Sequence, residues 1–439
     1  MMPNALTIAG SDSVGGAGLQ ADLKAFEAVG VHGCSVVTAV TSQNTKGVSS
    51  IFPIPVQEVA SQMRSVLDDV RLDAVKTGML YSAEIVKIVT SLLSKREIPL
   101  VVDPVMVATT GSSLHQSGFL DALITRLLPM STLVTPNLPE ASRITGIDVT
   151  NEKSARAAAR EILELGPKAV LIKGGHLKGA ESADYLCIGG KITKVSSPRV
   201  DVEVHGTGCA LASMIAGHLA LGLDVEDAVK RAKGMIFKAI LSRERVGSGI
   251  SCANPLAVLR IEAEKPAMLE KLEDCGTELE HLMDAELIPE VGSNMGYAVL
   301  GALDVDEVAA FDGRIVRTRG GARRIGCARF GASKHVARIV LEAASHDPEI
   351  RCALNVKYSP ENLSAARKAK LSISSFNRAH EPKGVSSMTW GVHKAIESYR
   401  GVPDLIFDKG GQGKEPMIRL LGKDPDDVIL KLKRVVAQR

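Results

Sequence analysis

From residue 5 to about 245, short β-rich runs alternate with stretches of helical periodicity, and this alternation constrains the fold more than any other feature of the chain. ALTIAG precedes QADLKAFEAVG, SVVTAVT precedes VQEVASQMRSVLDDV, and LDAVKTGML precedes AEIVKIVTSLLSKR. PLVVDPVM, TLVTPN and KAVLIKGG continue the strands, while SARAAAREILELG continues the helices. Strands joined by helical crossovers run parallel, and near-continuous apolar runs suit burial on both faces. The pattern therefore predicts an α/β fold, a mostly parallel sheet flanked by helices. YLCIGGKITKV reads as a hairpin turning at Gly189-Gly190, followed by helices at roughly 208–222 and 225–242.

At 439 residues the chain is too long for one ordinary core. Its composition shifts at GSGISCANP, and a charged helix from about Pro266 to Met283 leads into a second alternation. Strands are expected in MGYAVLGA, GRIVRT, RRIGCARFG, IRCALNVKY, LSISSF and PDLIFD, and helices in SKHVARIVLEAA, ENLSAARKAKL, TWGVHKAIESY and DPDDVILKLKRVVAQ. These make a second, smaller α/β domain. The expected division is 1–255, a linker at 256–268, and 269–439.

A net charge of +3 and 3% aromatic residues argue against a nucleic-acid surface. Seven scattered cysteines without a C-x-x-C pair argue against a disulfide framework or a structural zinc site, and read as reduced thiols of a cytoplasmic protein. No basic segment precedes the first apolar run and no apolar run reaches about 18 residues, so no membrane partner is expected.

The chemistry begins in VEVHGTGCALAS, residues 202–213. Gly206-Thr207-Gly208 at a helix start offers unpaired amides and the positive end of the helix dipole, a cradle for an anion. Cys209 stands where a phosphoryl-transfer enzyme would be expected to carry a carboxylate base. No G-x-x-x-x-G-K-[ST] motif occurs, which disfavours a P-loop nucleotidase. GSDSVGGAGLQADLK, residues 10–24, follows the first strand with close-approach glycines and the carboxylates Asp12 and Asp22, or is simply a turn into a helix. VVDPVM and TPNLPE end strands with Asp103 and Glu140, which suit Mg2+ or serve as helix caps. Lys173 in LIKGG is a point charge for a nucleotide phosphate, or a solvated lysine.

Taken in order, AGSDSVGGAGLQADLKAF, TAVTSQNT, KTGML, DPVM, TPNLPEA, IKGGH and HGTGCALA resemble the ribokinase-like hydroxymethylpyrimidine/phosphomethylpyrimidine kinases of thiamine biosynthesis, over about residues 3–255. The resemblance implies ATP as phosphoryl donor with Mg2+ held by Asp103 and Glu140, and Lys173 near the ATP phosphates. It places Asp22, Gln43 and Met79 against the aminopyrimidine. Sugar kinases of the wider superfamily carry Asp after the G-T-G; a kinase that also phosphorylates a monophosphate avoids like charge by placing a neutral thiol there. For the first transfer, Cys209 at a helix N-terminus is expected to have a lowered pKa and to act as a thiolate base.

In the second half, Gly410, Gly411 and Gly413 follow a strand, flanked by Lys409 and Lys414, and Asp408 with Glu415 are candidates for Mg2+. Arg314, Arg329 and Arg378 are candidate phosphate clamps, and His335 a donor to phosphate or a proton carrier near neutral pH. Each has an ordinary alternative as a turn glycine, solvated arginine or capping histidine. As a set, SNMGYA, RFGASKH and FDKGGQGKEPM resemble the archaeal-type thiamine phosphate synthase domain over about 269–439. That implies a bifunctional enzyme making hydroxymethylpyrimidine diphosphate and joining it to thiazole phosphate with loss of pyrophosphate, with Arg314 and His335 catalytic and a homodimer as the expected assembly. The alternatives are a C-terminal thiamine-phosphate sensor, disfavoured by the lack of a helix-turn-helix segment, and a pyridoxal-type kinase.

Overall fold

The computed structural model describes residues 2–439 except 108–113, 176, 178, 180, 383–386 and 412. His176 of the IKGGH block and Gln412 of the glycine-rich run thus lie outside the described residues. The chain divides into two compact units, Met1–Leu259 and Arg260–Arg439.

The first unit is built on nine strands: β1 Asn4–Asp12, β2 His32–Asn44, β3 Gly47–Pro53, β4 Ala74–Thr77, β5 Leu100–Val102, β6 Leu133–Val134, β7 Ala169–Ile172, β8 Glu181–Ile188 and β9 Lys191–Pro198. They lie in the order β3-β2-β1-β4-β5-β6-β7-β8-β9. The pairs from β2 through β7 are parallel, and β3, β8 and β9 add antiparallel edges. Because side chains alternate along a strand, neighbours on the central strands enter two different cores. Ala5, Ala74, Val101 and Leu133 pack with helices Gly18–Val29, Thr207–Ala220 and Val225–Leu241. Leu6, Val75, Val102 and Val134 pack with helices Val56–Leu67, Ala83–Leu93 and Glu152–Glu164 on the other face. Double burial explains why these strands read as unbroken apolar runs. The hairpin turns at Gly189 and Gly190, as the sequence predicts. Edge strand β3 went unread because GVSSIFP begins with Gly, ends with Pro and carries no alternation. A short parallel pair, β10 Val204–His205 with β11 Ser251–Cys252, fixes the chain just before the G-T-G-C turn.

Helix Ala257–Leu282 begins nine residues earlier than the sequence suggests and runs through Pro266. Proline favours a first helical turn, which placed the expected start there; most of the stretch 256–268 is consequently helical.

In the second unit the strands are β12 Met295–Ala298, β13 Val308–Phe311, β14 Ile315–Thr318, β15 Gly321–Arg324, β16 Ala328–Phe330, β17 Cys352–Lys357, β18 Ile373–Ser375, β19 Leu405–Asp408 and β20 Met417–Gly422. Seven form a sheet in the order β16-β13-β12-β17-β20-β19-β18, and β14 with β15 makes a separate hairpin. All these pairings are antiparallel except β18 with β19. Helices Lys334–His346, Pro360–Lys368, Ser387–Tyr399 and Pro425–Val436 cover the sheet, the second and fourth capped by Ser359 and Asp424. Strand β13, VAAF, went unread, and β20 did so because MIRLLG was taken with the glycine-rich loop.

Candidate active sites

Helix Thr207–Ala220 starts at Gly206, whose φ of 83° lies in the left-handed region. A Cβ here would fall 1.7 Å from the Gly16 carbonyl oxygen, so only glycine lets the two loops touch. Ala210 N–H is the first to bond back, to the Gly206 carbonyl, leaving the amides of Thr207, Gly208 and Cys209 without intrahelical acceptors. Opposite, Asp12 shapes the 10–18 loop: its carboxylate accepts from the backbone N–H of Val14, Gly16 and Ala17 at 3.0, 3.1 and 2.8 Å. Asp12 is thus a loop former, held below the usual carboxylate range by His205 and those amides against the opposing effect of burial.

Beneath the cradle lies an ion pair that sequence reading missed. Lys76, fully buried in β4, donates to both oxygens of Asp22 at 2.9 and 2.8 Å. Thr7 and Ser213 hydroxyls donate to the same carboxylate at 2.7 and 2.8 Å. Asp22 therefore does not reach a pyrimidine: its acceptors are satisfied, and it holds Lys76, which does line the cavity. Against the cost of burial, the Lys76 ammonium is kept charged by Asp22 and Asp103. The signal was a lone lysine in the otherwise apolar AVKTGM.

Cys209 is corrected in the same way. Burial pushes its thiol up to about 12, and Asp103 and Asp22 add to this, outweighing Lys76 and the Gly18 amide. It is a neutral thiol at pH 7, not a thiolate base. Desolvation defeats the helix-terminus effect because Cys209 sits at the inner wall of the cavity beside Asp103 and the Asp22–Lys76 pair.

Facing the cradle, Lys173 Nζ donates to Asp103 Oδ1 at 2.7 Å, and Thr135 Oγ1 adds a contact at 3.3 Å. An added Cβ on Gly208 would sit 3.1 Å from Lys173 Nζ, which puts the ammonium directly against the G-T-G turn. Glu140 is part of a capping box: its side chain accepts from Asn137 N–H, and Asn137 accepts from Glu140 N–H, both at 2.8 Å. It does more than cap the helix. Buried beside Asp103, its carboxyl is pushed up to about 7 despite Lys173 nearby.

These groups line one cavity of about 880 Å³ inside the first unit. At one end Met79, Val105 and Leu114 form an apolar wall beside Gln43. Gln43 Nε2 lies 2.9 Å from His205 Nε2, which in turn is 3.2 Å from Asp12 Oδ2. At the other end Lys233 and Asp184 make a second buried pair at 2.7 Å, and Asp184 also accepts from Gly174 N–H, fixing the KGG turn. Leu211, Ile236 and Phe237 give that end its apolar floor. His205, Lys233 and Asp184 were not foreseen, since their partners are distant in sequence.

In the second unit a different set converges. Asp408 is fully buried and accepts from Arg378 at 2.5 and 3.0 Å, from Arg419 at 2.9 Å and from Gly410 N–H at 2.8 Å. With both oxygens held by guanidinium groups, it anchors arginines and is not a metal ligand. Glu415 is likewise committed, accepting from Glu290 and Val291 N–H at 2.9 and 3.3 Å. Arg419, unread because it sits inside apolar β20, is completely buried and stacks 5.2 Å from the Phe376 ring centroid. Gly411 lies against Arg378, and Gly411 and Lys414 close their loop by exchanging backbone hydrogen bonds.

His335, in the first turn of helix Lys334–His346, keeps an exposed face. Even so, desolvation by its surroundings and the charges of Arg419, Arg314, Arg378 and Arg338 drive its pKa down to about 4. It is a neutral imidazole at pH 7 and does not exchange a proton there. Arg314 joins this basin from a residue with φ of 78°, donating to the Val291 carbonyl. Three predicted residues are engaged otherwise or open to solvent: Arg329 pairs with Asp312 at the surface, Lys414 pairs with Glu381, and Lys409 is exposed.

Known proteins share both halves. The family described as phosphomethylpyrimidine kinase matches residues 12–254, and that described as thiamine-phosphate synthase ThiN matches 271–434. The bifunctional thiamine biosynthesis protein ThiDN of Methanocaldococcus jannaschii is 34% identical over 98% of this chain and 97% of its own. A hydroxymethylpyrimidine/phosphomethylpyrimidine kinase of Streptomyces coelicolor is 49% identical over 56% of this chain and 92% of its own. Among solved structures, a Bacillus subtilis pyridoxal kinase in complex with ADP aligns with a TM-score of 0.55 at 33% identity, covering 60% of this chain and all of that one. With a ribokinase-like kinase unit followed by a synthase-type unit, the chain belongs to the family of bifunctional thiamine biosynthesis enzymes.

Proposed function

We propose that the first unit transfers two phosphoryl groups in turn from ATP to 4-amino-5-hydroxymethyl-2-methylpyrimidine, and that the second joins the diphosphate to hydroxyethylthiazole phosphate, releasing pyrophosphate. The observation that carries the first step is the convergence of the Thr207, Gly208 and Cys209 amides, Lys173 and Lys76 on a cavity walled by Met79 and Gln43. Gln43 can donate to and accept from a pyrimidine edge, and the cradle with its two ammonium groups stabilises charge on the phosphoryl in transfer. A neutral Cys209 suits both transfers. The loose transition state of phosphoryl transfer asks little of a base, and the second nucleophile is already an anion. Asp103 and Glu140 fit Mg2+, because two buried carboxylates share one ammonium there and Glu140 is pushed toward neutrality by the crowding. When bound, the ion would neutralise charge on the phosphates.

For the second unit the support is the arginine basin around neutral His335. A pyrimidine methyl cation is stabilised by its own amino group, so the protein's task is to hold the departing pyrophosphate. Arg378, Arg419 and Arg314 offer the charge and His335 a neutral N–H donor.

Comparing hydroxymethylpyrimidine, its monophosphate and pyridoxal as ATP-dependent acceptors tests the kinase reading; preference for pyridoxal would replace it with the activity of its solved neighbours. Supplying the pyrimidine diphosphate and thiazole phosphate without ATP tests the synthase reading. Thiamine phosphate should form, with roughly 10²-fold slower turnover in Arg314→Ala and His335→Ala. Tight binding of thiamine phosphate without turnover would make the unit a sensor.

We further propose a cytoplasmic homodimer. All seven cysteines are free thiols, and no helix among the described residues is long and apolar enough to cross a membrane. Val40 on β2 and its register partner Phe52 on edge strand β3 are both exposed, an apolar patch suited to pairing with a second copy.

A further inference from the structure

Away from the arginine basin, three side chains of the second unit meet on two packed helices. Glu342 and His346 stand one turn apart on Lys334–His346, and His393 faces them from Ser387–Tyr399. Glu342 Oε1 lies 3.2 Å from His346 Nε2 and 2.9 Å from His393 Nδ1, and the two nitrogens are 3.2 Å apart. We propose that these three residues form a binding site for a borderline divalent transition ion of the zinc class.

The spacing is the first argument. Tetrahedral zinc with bonds of about 2.0–2.1 Å to nitrogen and about 2.0–2.2 Å to oxygen places neighbouring ligand atoms roughly 3.3 Å apart. The observed triangle, 2.9 to 3.2 Å on a side, is within a few tenths of an ångström of one face of that tetrahedron.

Proton placement is the second argument. Glu397 Oε1 lies 3.3 Å from His393 Nε2, on the opposite edge of the ring. In the tautomer that donates Nε2–H to Glu397, Nδ1 is left as a ligand atom beside the Glu342 oxygen 2.9 Å away. A cation on the triangle uses the lone pairs of all three side chains. Glu397 then acts as the carboxylate that orients a metal-bound imidazole. Two imidazole nitrogens and one carboxylate select zinc-like ions over Mg2+ and Ca2+, which prefer all-oxygen sites.

The consequence reaches the basin. Helix Lys334–His346 carries His335 in its first turn, and Met388, at the start of the other helix, touches Arg419. A metal at Glu342, His346 and His393 ties the helix that carries His335 to the helix that packs Met388 against Arg419.

Co2+ titrated into the chelator-stripped full-length protein provides the test. Tetrahedral cobalt should give an intense visible ligand-field spectrum at one equivalent. The spectrum should be lost in His346→Gln/His393→Gln, whose Mg2+-dependent kinase rate stays normal and reports an intact first unit. A spectrum identical in wild type and variant, or dominated by sulfur-to-cobalt charge transfer, would overturn the proposal by assigning the ion to other groups. Should the double variant not fold, Glu397→Gln decides: it retains all three ligands and should weaken cobalt binding roughly tenfold or more, and unchanged affinity would overturn the site.

Discussion

At the scale of single residues, charge state governs what each group can do. Cys209 carries no charge at neutral pH, and that absence is its contribution. Cys209→Asp would set a carboxylate against the phosphomonoester, a repulsion of about 4 kcal/mol at ~4 Å in a moderate dielectric. The second transfer should therefore slow by roughly 10³-fold and the first by much less, as phosphorus-resolved kinetics of the separate steps would reveal. Cys209→Ala should cost both steps little; a large loss confined to the first would restore the thiolate base. His335 makes the complementary case. An anion in the basin screens the arginines that depress its pKa, so inorganic pyrophosphate should move its titration upward in an NMR pH series. A titration that does not move would mean that the anion binds elsewhere. Lys76 and Asp22 test the buried pair: Lys76→Met strands a buried carboxylate and should cost about 3–5 kcal/mol in denaturant unfolding of the first unit.

Among elements, the strand ends and helix starts carry the site, and these were the legible part of the sequence. The G-T-G-C turn is readable because glycine on both sides of a small polar residue before a helical run has few other uses. Asp103 and Lys173 were identifiable because each directly follows a strand, and Glu140 because it opens the helix after one. What could not be read is pairing through space. Asp22 was assigned to the substrate because nothing in the sequence links it to Lys76, 54 residues away. Asp408 looked like a metal ligand because Arg419 was hidden in an apolar strand. The Glu140 helix offers a pH test with a definite sign. Its carboxyl is raised from 4.5 to about 7 in the folded protein, so protonation favours folding. That contribution is fully present below about pH 4.5 and is lost as pH rises through about 7. Glu140→Gln keeps the capping box, and the difference in unfolding free energy between wild type and variant should show this slope; a flat difference would mean that Glu140 is solvated.

For the whole molecule, the alternation of strands and helices gave away the first unit almost completely, since a buried parallel sheet writes its burial into the sequence as apolar runs. The second unit was harder: its sheet is largely antiparallel with short strands, and two of them were missed. Light scattering should find a dimer that Phe52→Glu dissociates, while a monomeric wild type would remove the role given to the exposed edge. The central claim is that one chain performs both halves of the synthesis, and it can be followed in a single tube. Phosphorus NMR of the intact protein with hydroxymethylpyrimidine, ATP, Mg2+ and thiazole phosphate should show the pyrimidine monophosphate, then the diphosphate, then thiamine phosphate with free pyrophosphate. Accumulation that stops at the monophosphate, or a diphosphate that never condenses, would contradict it.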